Sequence, residues 1–414
     1  MSALNRWRVQ GDRPWSRALI AGLLLALLVL DAFAIHQAYV QRVGNALDYY
    51  PFWAGGREVL LHQRSPYQPE VMRSIQEAIY GRPALPEENQ HGYAYPAYTP
   101  LLVSLFLVLP FSLSASLWIA IQQVLLVASV ILVVRATRWS IGLWHLLLLC
   151  LAAMTFRYAM IAFVLGQTST WVLFALSLAL WAAVRGHGWL AGLALAAGLI
   201  KPQLVLLPAL TLLVCSQPRR RLQLLLWLGG AIAALLVCSW LFAGPWLDDY
   251  WRTLVAYQGY STTQFPVLAL AEIWLSPTLS RALNVAAIVG LLGLHAAVLW
   301  WARASGRVVV PMALAVVTTQ LVVPQTGSYN LVMLVLPAVV ALERLGRTSL
   351  QTKRAALVGQ TLIWTSLTIV PWALLPLLRG PGAVPLDVVV LPLLVLVLLL
   401  GGAWLDAQQQ VRSV

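Results

Sequence analysis

Charged residues are scarce in this sequence: 10% of its 414 residues carry a charge, whereas 60% are hydrophobic. Soluble proteins carry roughly 25% charged residues, so this scarcity excludes an ordinary soluble domain. The hydrophobic residues form repeated runs of about 17–25 residues, each long enough for a helix that crosses a hydrocarbon core of roughly 30 Å. Because backbone groups in lipid must hydrogen-bond to one another, we predict an all-α polytopic membrane protein.

Acidic residues are also few, 14 against 27 basic ones, which gives a net charge of +13. In a soluble protein this imbalance would indicate nucleic acid as a partner. Here the basic residues cluster in short loops between apolar runs, where they set the membrane topology. We therefore predict membrane lipids as partners and no nucleic acid.

Residues that could hold a metal ion are sparse and scattered. The three cysteines lie in apolar runs, and neither they nor the six histidines show the spacing of a metal site. We expect no metal and no other cofactor. Lysine is rarer still, with Lys201 and Lys353 as its two examples. Lys201 lies between two apolar runs, where a lysine is costly and usually functional.

Basic residues near the start of the chain predict its orientation. Four arginines precede the first predicted helix, residues 18–40, and by the positive-inside rule they place residues 1–17 in the cytoplasm. The next loop, 41–96, then lies outside and carries six of the fourteen acidic residues. Two amphipathic stretches in this loop, 53–64 and 68–80, predict short helices on the outer surface.

The rest of the chain is predicted as one membrane domain, 1–414, with a second outer loop at 244–282. Polar residues, Gly and Pro interrupt the stretch 139–216 at short intervals, which predicts either three ordinary spans or a set of shorter broken helices. The other predicted helices start near Pro100 and cover 113–134, 222–243, 283–302, 308–323, 331–346, 355–376 and 387–405.

These helices add up to 12 spans, or 14 if the middle is broken. In this topology Arg135 and Arg138 fall outside, against the positive-inside rule. They either attract a lipid phosphate or mark a misplaced span.

Five short motifs stand at the ends of the apolar runs. They are Asp48-Tyr49-Tyr50-Pro51-Phe52-Trp53-Ala54, Ser65-Pro66-Tyr67, Tyr93-Ala94-Tyr95-Pro96 with Pro100, Gly166-Gln167, and Ile200-Lys201-Pro202. In this order the sequence resembles glycosyltransferase family 87. The resemblance implies the GT-C class, and together with the helix count above it predicts a GT-C-like bundle of about 12–14 transmembrane helices. It also implies transfer of a sugar from a polyprenyl phosphate to an acceptor outside the cytoplasm, with Asp48 as the catalytic base.

One late outer loop departs from the family pattern. The family usually has an aromatic residue and one or two histidines after a proline there. Here the loop reads Pro324-Gln325-Thr326-Gly327-Ser328-Tyr329-Asn330, without histidine. We expect Tyr329 or Asn330 to contact sugar or phosphate instead.

The chemistry of such a transfer is consistent with these residue types. Displacing a lipid phosphate from an anomeric carbon needs a base that takes the proton of the acceptor hydroxyl, and Asp48 is our candidate. The departing phosphate needs a cation or hydrogen-bond donors, and we assign Lys201 to it. Gln167 is predicted to bond the sugar, and Arg157 and Tyr95 are further predicted substrate contacts. A direct displacement would invert the anomeric configuration.

Each of these residues also has a structural alternative. Asp48 could cap a surface helix or pair with Arg42 or Arg57. Lys201 could be a topology anchor whose ammonium reaches the membrane surface. Gln167 could simply bond a neighbouring helix.

We predict an inverting glycosyltransferase of the inner or plasma membrane whose active site faces away from the cytoplasm. The resemblance makes mannose the first choice of sugar, and the acceptor is expected to be a lipid or a glycan. The main alternative is a lipid or glycolipid transporter, which would also need polar residues inside the membrane but often shows internal repeats. Another GT-C reaction, such as arabinosyl transfer or transfer onto protein, is a third possibility.

Overall fold

The computed structural model describes residues 14–260, 265–303, 307–324, 327–348 and 387–412, with six single positions between 360 and 372. Every regular element in this described part is helical. The helices are α1 (Pro14–Ile35), α2 (Gln41–Val43), α3 (Tyr49–His62), α4 (Pro69–Tyr80), α5 (Thr99–Leu102), α6 (Ser104–Leu107), α7 (Phe111–Ala136), α8 (Leu143–Met154), α9 (Arg157–Leu165), α10 (Ser169–Arg185), α11 (Gly188–Gly198), α12 (Pro202–Cys215), α13 (Pro218–Ala243), α14 (Leu247–Tyr260), α15 (Pro266–Ala271), α16 (Pro277–Arg303), α17 (Val309–Val322), α18 (Val335–Thr348) and α19 (Asp387–Arg412). A π-helical turn, His36–Val40, joins α1 to α2, and a 3-10 helix, Ser328–Leu334, leads into α18.

The two short helices predicted in the first loop are present as α3 and α4. Proline at the first position of α4, Pro69, supplies a backbone angle suited to a helix start. Gly81 ends the same helix in the left-handed conformation, with φ of 72°. The apolar side of α4 is buried through Val71 and Ile75, so the helix packs against the rest of the loop rather than lying free on the surface.

The prediction of a membrane-spanning helix that begins near Pro100 is wrong. The apolar run there forms two four-residue helices, α5 and α6, with a turn at Val103 between them. Leu107 is fully buried, and a Cβ at Gly56 of α3 would lie 2.6 Å from its side chain. Leu107 therefore packs beneath α3, whereas Leu105 and Val108 of the same run stay exposed. With four residues each, α5 and α6 are too short to cross the membrane.

This correction also accounts for the two misplaced arginines. Because α5 and α6 do not cross the membrane, α7 is the next long helix after α1. Helix α7 leads away from the loop that contains Asp48. Arg135 in its last turn and Arg138 just beyond it then lie at the opposite end of the bundle. That end also carries Arg220 and Arg307, which agrees with the positive-inside rule.

Residues 139–216 form a set of shorter, broken helices, the second of the two predicted alternatives. Helices α8 and α9 meet at an angle of 55°. The next three, α10 to α12, have 17, 11 and 14 residues. All three are shorter than the roughly 20 residues that a straight span requires.

Fewer full-length spans are found than the 12 to 14 predicted. Within the described residues, four helical segments are long and apolar enough to cross a membrane, or five if the bent pair α8–α9 counts as one span. The four are Phe111–Ala136, Pro218–Ala243, Pro277–Arg303 and Ser328–Gly346. Shorter apolar helices make up much of the remainder. Most of the predicted helix 355–376 lies outside the described residues.

Polar residues gather at two ends of the bundle. The end we call the Asp48 end holds a hydrogen-bonded cluster of Asp48, Gln167, Lys201 and Asn330. At the other end, which we call the arginine end, one cavity is lined by Arg138, Arg220, Arg307 and Arg344. Helix α10 joins the two, because it begins next to the cluster and its last turn lines the cavity. Its 17 residues span about 25 Å.

We predict that these two ends lie on opposite sides of the membrane. A Glu87→Cys variant places a thiol on the exposed part of the first loop, and Gln217→Cys places one at the arginine end. The first should react with a membrane-impermeant thiol reagent in intact cells, after any outer membrane is permeabilised. The second should react only after the inner membrane is opened. The unsubstituted chain gives the background, and labelling of both thiols from the same side would contradict this topology.

Candidate active site

The side chain of Asp48 does not serve the helix that it precedes. Asp48 is half-buried at the start of α3, yet its carboxylate makes no capping hydrogen bond. It accepts a hydrogen bond from Gln167 Nε2 at 2.9 Å. Arg57 is engaged elsewhere, since it donates to the carbonyl oxygen of Leu107 and stacks on Trp53. Neither capping by Asp48 nor an Asp48–Arg57 pair is therefore observed.

Aromatic packing fixes the backbone next to Asp48. The ring of Tyr49 is almost fully buried and stacks on Trp118, with ring centroids 5.4 Å apart. Its hydroxyl hydrogen-bonds to that of Ser114 at 3.0 Å. Stacked rings and a buried hydrogen bond leave this residue little freedom, so the neighbouring carboxylate keeps a defined position.

The turn that carries Gln167 requires glycine. Gly166 ends α9 with φ of 67°, a conformation that residues with a Cβ rarely adopt. A Cβ there would lie 2.7 Å from the Cβ of Tyr49. Trp118 Nε1 donates to the carbonyl oxygen of Gly166 at 2.8 Å. The close approach of this turn to Tyr49 brings Gln167 beside Asp48.

Lys201 lies at the start of α12 with its side chain 7% exposed. Its ammonium donates three hydrogen bonds, to Gln167 Oε1 at 3.2 Å, Ser169 Oγ at 2.9 Å and Asn330 Oδ1 at 3.1 Å. These bonds use all three of its protons. Its Nζ also lies 4.6 Å from the centre of the Tyr329 ring, within the range of a cation–π contact.

Gln167 links the carboxylate to the ammonium. Its Nε2 donates to Asp48 while its Oε1 accepts from Lys201, so both halves of the amide are used. No carboxylate of the described chain lies within 4.0 Å of the Lys201 ammonium, which is held by neutral partners alone. The Gln167 amide thus lies between the Asp48 carboxylate and the Lys201 ammonium and sets the distance between them.

Three helices also begin at this cluster. Asp48, Thr168 and Lys201 are the residues that precede α3, α10 and α12. Backbone N–H groups at a helix N-terminus and the helix dipole both favour negative charge. Together with the ammonium they make the cluster a suitable place for an anion.

The structure brings together most of the predicted site residues. Asp48, Gln167, Lys201, Tyr329 and Asn330 form the cluster itself. Tyr95 lies at its edge, where its ring meets Phe52 edge-on at 4.8 Å. Burial raises the pKa of the Tyr95 hydroxyl, and the charge of Asp48 contributes in the same direction. That hydroxyl therefore stays protonated at neutral pH and able to donate a hydrogen bond.

Arg157 lies away from the other predicted residues. It opens α9, whereas Gln167 follows the end of that helix, and nine residues separate the two ends by about 13 Å. Its guanidinium stacks on Tyr158 and Trp372. Ser169, in contrast, is a cluster residue that the sequence analysis missed, and its hydroxyl donates to Asn330 Oδ1 at 2.7 Å. The polar run around Gly166 between two apolar helices was the signal for it.

A family model of glycosyltransferase family 87 matches residues 93–324, more than half of the chain. The chain belongs to glycosyltransferase family 87. It is therefore a membrane glycosyltransferase, and the resemblance seen in its motifs is confirmed. The match includes Tyr95, Gln167 and Lys201, whereas Asp48 and Asn330 lie outside it. A search of curated proteins found no match, and neither did a search of solved structures.

We predict that Ser169→Ala destabilises the protein by about 1–3 kcal/mol, because a buried ammonium loses one of its acceptors. Ser177→Ala is the matched control. Ser177 is fully buried in the same helix, but its hydroxyl has no hydrogen-bond partner among the described residues. Thermal unfolding of both purified variants in detergent measures the difference. Equal melting temperatures for the two variants would show that the cluster does not depend on the Ser169 hydroxyl.

Proposed function

We propose that this enzyme transfers a sugar from a polyprenyl phosphate to a lipid or glycan acceptor, with inversion at the anomeric carbon. Asp48 is the general base, and Lys201 holds the phosphate of the donor. The observation that carries the proposal is the amide of Gln167, which joins a half-buried carboxylate to a buried ammonium. Family membership supplies the reaction class, and this cluster supports the assignment of roles.

The Lys201 side of the cluster is suited to a phosphate. Its charge is shielded from water, and its three hydrogen bonds go to neutral oxygens, while the Asp48 carboxylate favours the charge from a greater distance. Exchanging one of those oxygens for a phosphate oxygen would give a shorter, charge-assisted hydrogen bond. The same interaction would stabilise the negative charge that develops on the departing phosphate.

The Asp48 side is suited to an acceptor hydroxyl. Its carboxylate is only half-buried and accepts one described hydrogen bond, so it retains acceptor capacity. A phosphate leaves without help from an acid, and one carboxylate is then enough, unlike the pair used in glycoside hydrolysis. With the base and the phosphate partner on either side of the Gln167 amide, attack and departure would take place on opposite faces of the sugar, which is the arrangement for inversion.

The length of the helices favours a donor attached to a lipid. Helix α12 begins immediately after Lys201, and its 14 residues reach only about 21 Å towards the arginine end. This is less than a hydrocarbon core of roughly 30 Å, so the cluster would lie below the outer boundary of the apolar layer rather than in the water beyond it. A polyprenyl chain can hold its phosphate at that depth, whereas a soluble nucleotide sugar would have to enter from water.

The charge distribution supports an active site that faces away from the cytoplasm. The arginine end is the cytoplasmic end by the positive-inside rule, and the cluster lies at the other end. No pool of nucleotide sugars is expected outside, which again favours a lipid-linked donor. We retain mannose as the sugar from the family resemblance and the inner or plasma membrane as the location. Membership of a transferase family favours an enzyme over the transporter alternative.

We expect Asp48→Asn to lower kcat by about 10²–10⁴-fold while donor affinity stays near that of the wild type, because the amide cannot take a proton. Its oxygen can still accept the hydrogen bond from Gln167, so the cluster should keep its geometry. Glu70→Gln, an exposed change in the same loop, is the control and should leave turnover unchanged. Near-normal turnover in Asp48→Asn would show that Asp48 is not the general base.

We expect Lys201→Met to weaken binding of the polyprenyl-phosphate sugar by at least about 10-fold, since hydrogen bonds to charged groups are worth about 1.5–3 kcal/mol. Lys201→Arg should retain more affinity because it keeps the charge. Arg157→Gln, at the far end of α9, should change affinity little. Titration with labelled donor gives the dissociation constant of the purified wild type and of each variant. Equal affinity of Lys201→Met and the wild type for the donor would show that Lys201 does not bind the donor phosphate.

A further inference from the structure

A cavity of about 440 Å³ lies at the arginine end, away from the active-site cluster. Four arginines are among the residues that line it: Arg138, Arg220, Arg307 and Arg344. The described lining residues include no Asp or Glu. Arg344 lies 3.4 Å from the carboxylate of Glu343, so part of its charge is already balanced. The positive character of the cavity depends on the other three.

Within the described residues, none of the three remaining arginines forms an ion pair, and the fold holds them in place. The guanidinium of Arg220 packs on Gly186, where a Cβ would lie 2.9 Å from its Cζ. That of Arg307 lies 5.8 Å from the ring centre of Trp301, which also lines the cavity. Arg138 ends the α7 segment with φ of 55°, a conformation uncommon for a residue with a long side chain. Positive charge is thus placed around a preformed space.

Helix ends add to this charge. Gln217 and Val308 line the cavity and are the residues that precede α13 and α17. The N-termini of these two helices, 26 and 14 residues long, therefore open at the cavity wall. Their unpaired N–H groups favour an anion, as the arginines do.

Apolar residues make up most of the rest of the wall, among them Val184, Val310, Pro311 and Ala403. Trp301 is more than half exposed, as interfacial tryptophans are at the headgroup level of a membrane. The adjoining helices α13 and α16 expose most of their apolar surface. A free inorganic anion would use only the arginines, whereas a phospholipid would use both the charged and the apolar surfaces.

We propose that this cavity binds the phosphate headgroup of an anionic phospholipid. The arginines contact the phosphate, and Trp301 lies at the level of the lipid headgroups. The acyl chains of the lipid lie along the apolar part of the cavity wall. The site is independent of the catalytic cluster and of the donor lipid. Helices α10 and α12 connect the two, because each begins at the cluster and ends at the cavity.

Binding to the purified full-length protein tests the proposal. Phosphatidylglycerol and phosphatidylcholine with the same acyl chains are titrated in a nonionic detergent, and inorganic phosphate is titrated alone. Phosphatidylglycerol should bind and raise the melting temperature, and added salt should weaken it. Equal binding of phosphatidylcholine would overturn the proposal. Half-saturation by inorganic phosphate at the same concentration as phosphatidylglycerol would also overturn it, in favour of a free-anion site.

Neighbouring arginines provide matched variants. Arg220→Gln and Arg307→Gln should each weaken phosphatidylglycerol binding about 5-fold, the change expected when one basic side chain near the membrane surface is lost. Arg219→Gln removes the same charge one position away, from an exposed residue that does not line the cavity, and should bind as the wild type does. Unchanged binding in both cavity variants, or an equal loss in Arg219→Gln, would show that the cavity is not the lipid site.

Discussion

A buried ammonium sets the arrangement of the candidate active site. The charge of Lys201 cannot remain in an apolar bundle without hydrogen-bond acceptors, and three neutral oxygens supply them. Those oxygens come from the turn before α10, from the first turn of α10 itself and from the 3-10 helix before α18. Satisfying one charge therefore brings together segments that are more than a hundred residues apart in sequence. Asp48 joins them through Gln167, the only one of the three partners that also has a donor directed at the carboxylate.

The two ends of the bundle use charge in different ways. At the Asp48 end the Lys201 ammonium and three helix N-termini surround a polar site, and the Asp48 carboxylate lies beside it. At the arginine end several cations lie around a larger cavity whose described lining has no acid. The first arrangement suits transfer chemistry, in which a proton acceptor and a phosphate partner must act together. The second suits the binding of an anion, since several arginines are among its described lining residues.

Sequence reasoning succeeded where a residue was out of place in its surroundings. A lysine between apolar runs and a carboxylate among aromatics were visible without a structure, and both belong to the cluster. Sequence reasoning failed where an apolar run could be either a membrane span or a segment buried inside the protein. The run after Pro100 is as apolar as a span, but it forms two four-residue helices, and part of it, including Leu107, is buried. Ser169 was missed because a serine near a helix start is ordinary, and only the distant Asn330 and Lys201 make it part of the site.

The most direct test of this account is a structure with a non-transferable donor, such as a polyprenyl phosphonate sugar, bound to the enzyme. The account predicts the phosphonate within hydrogen-bond distance of Lys201 Nζ. It also predicts the Asp48 carboxylate on the face of the anomeric carbon away from the phosphonate. A phosphonate bound at the arginine end, or a sugar with Asp48 on the same face as the leaving group, would contradict it.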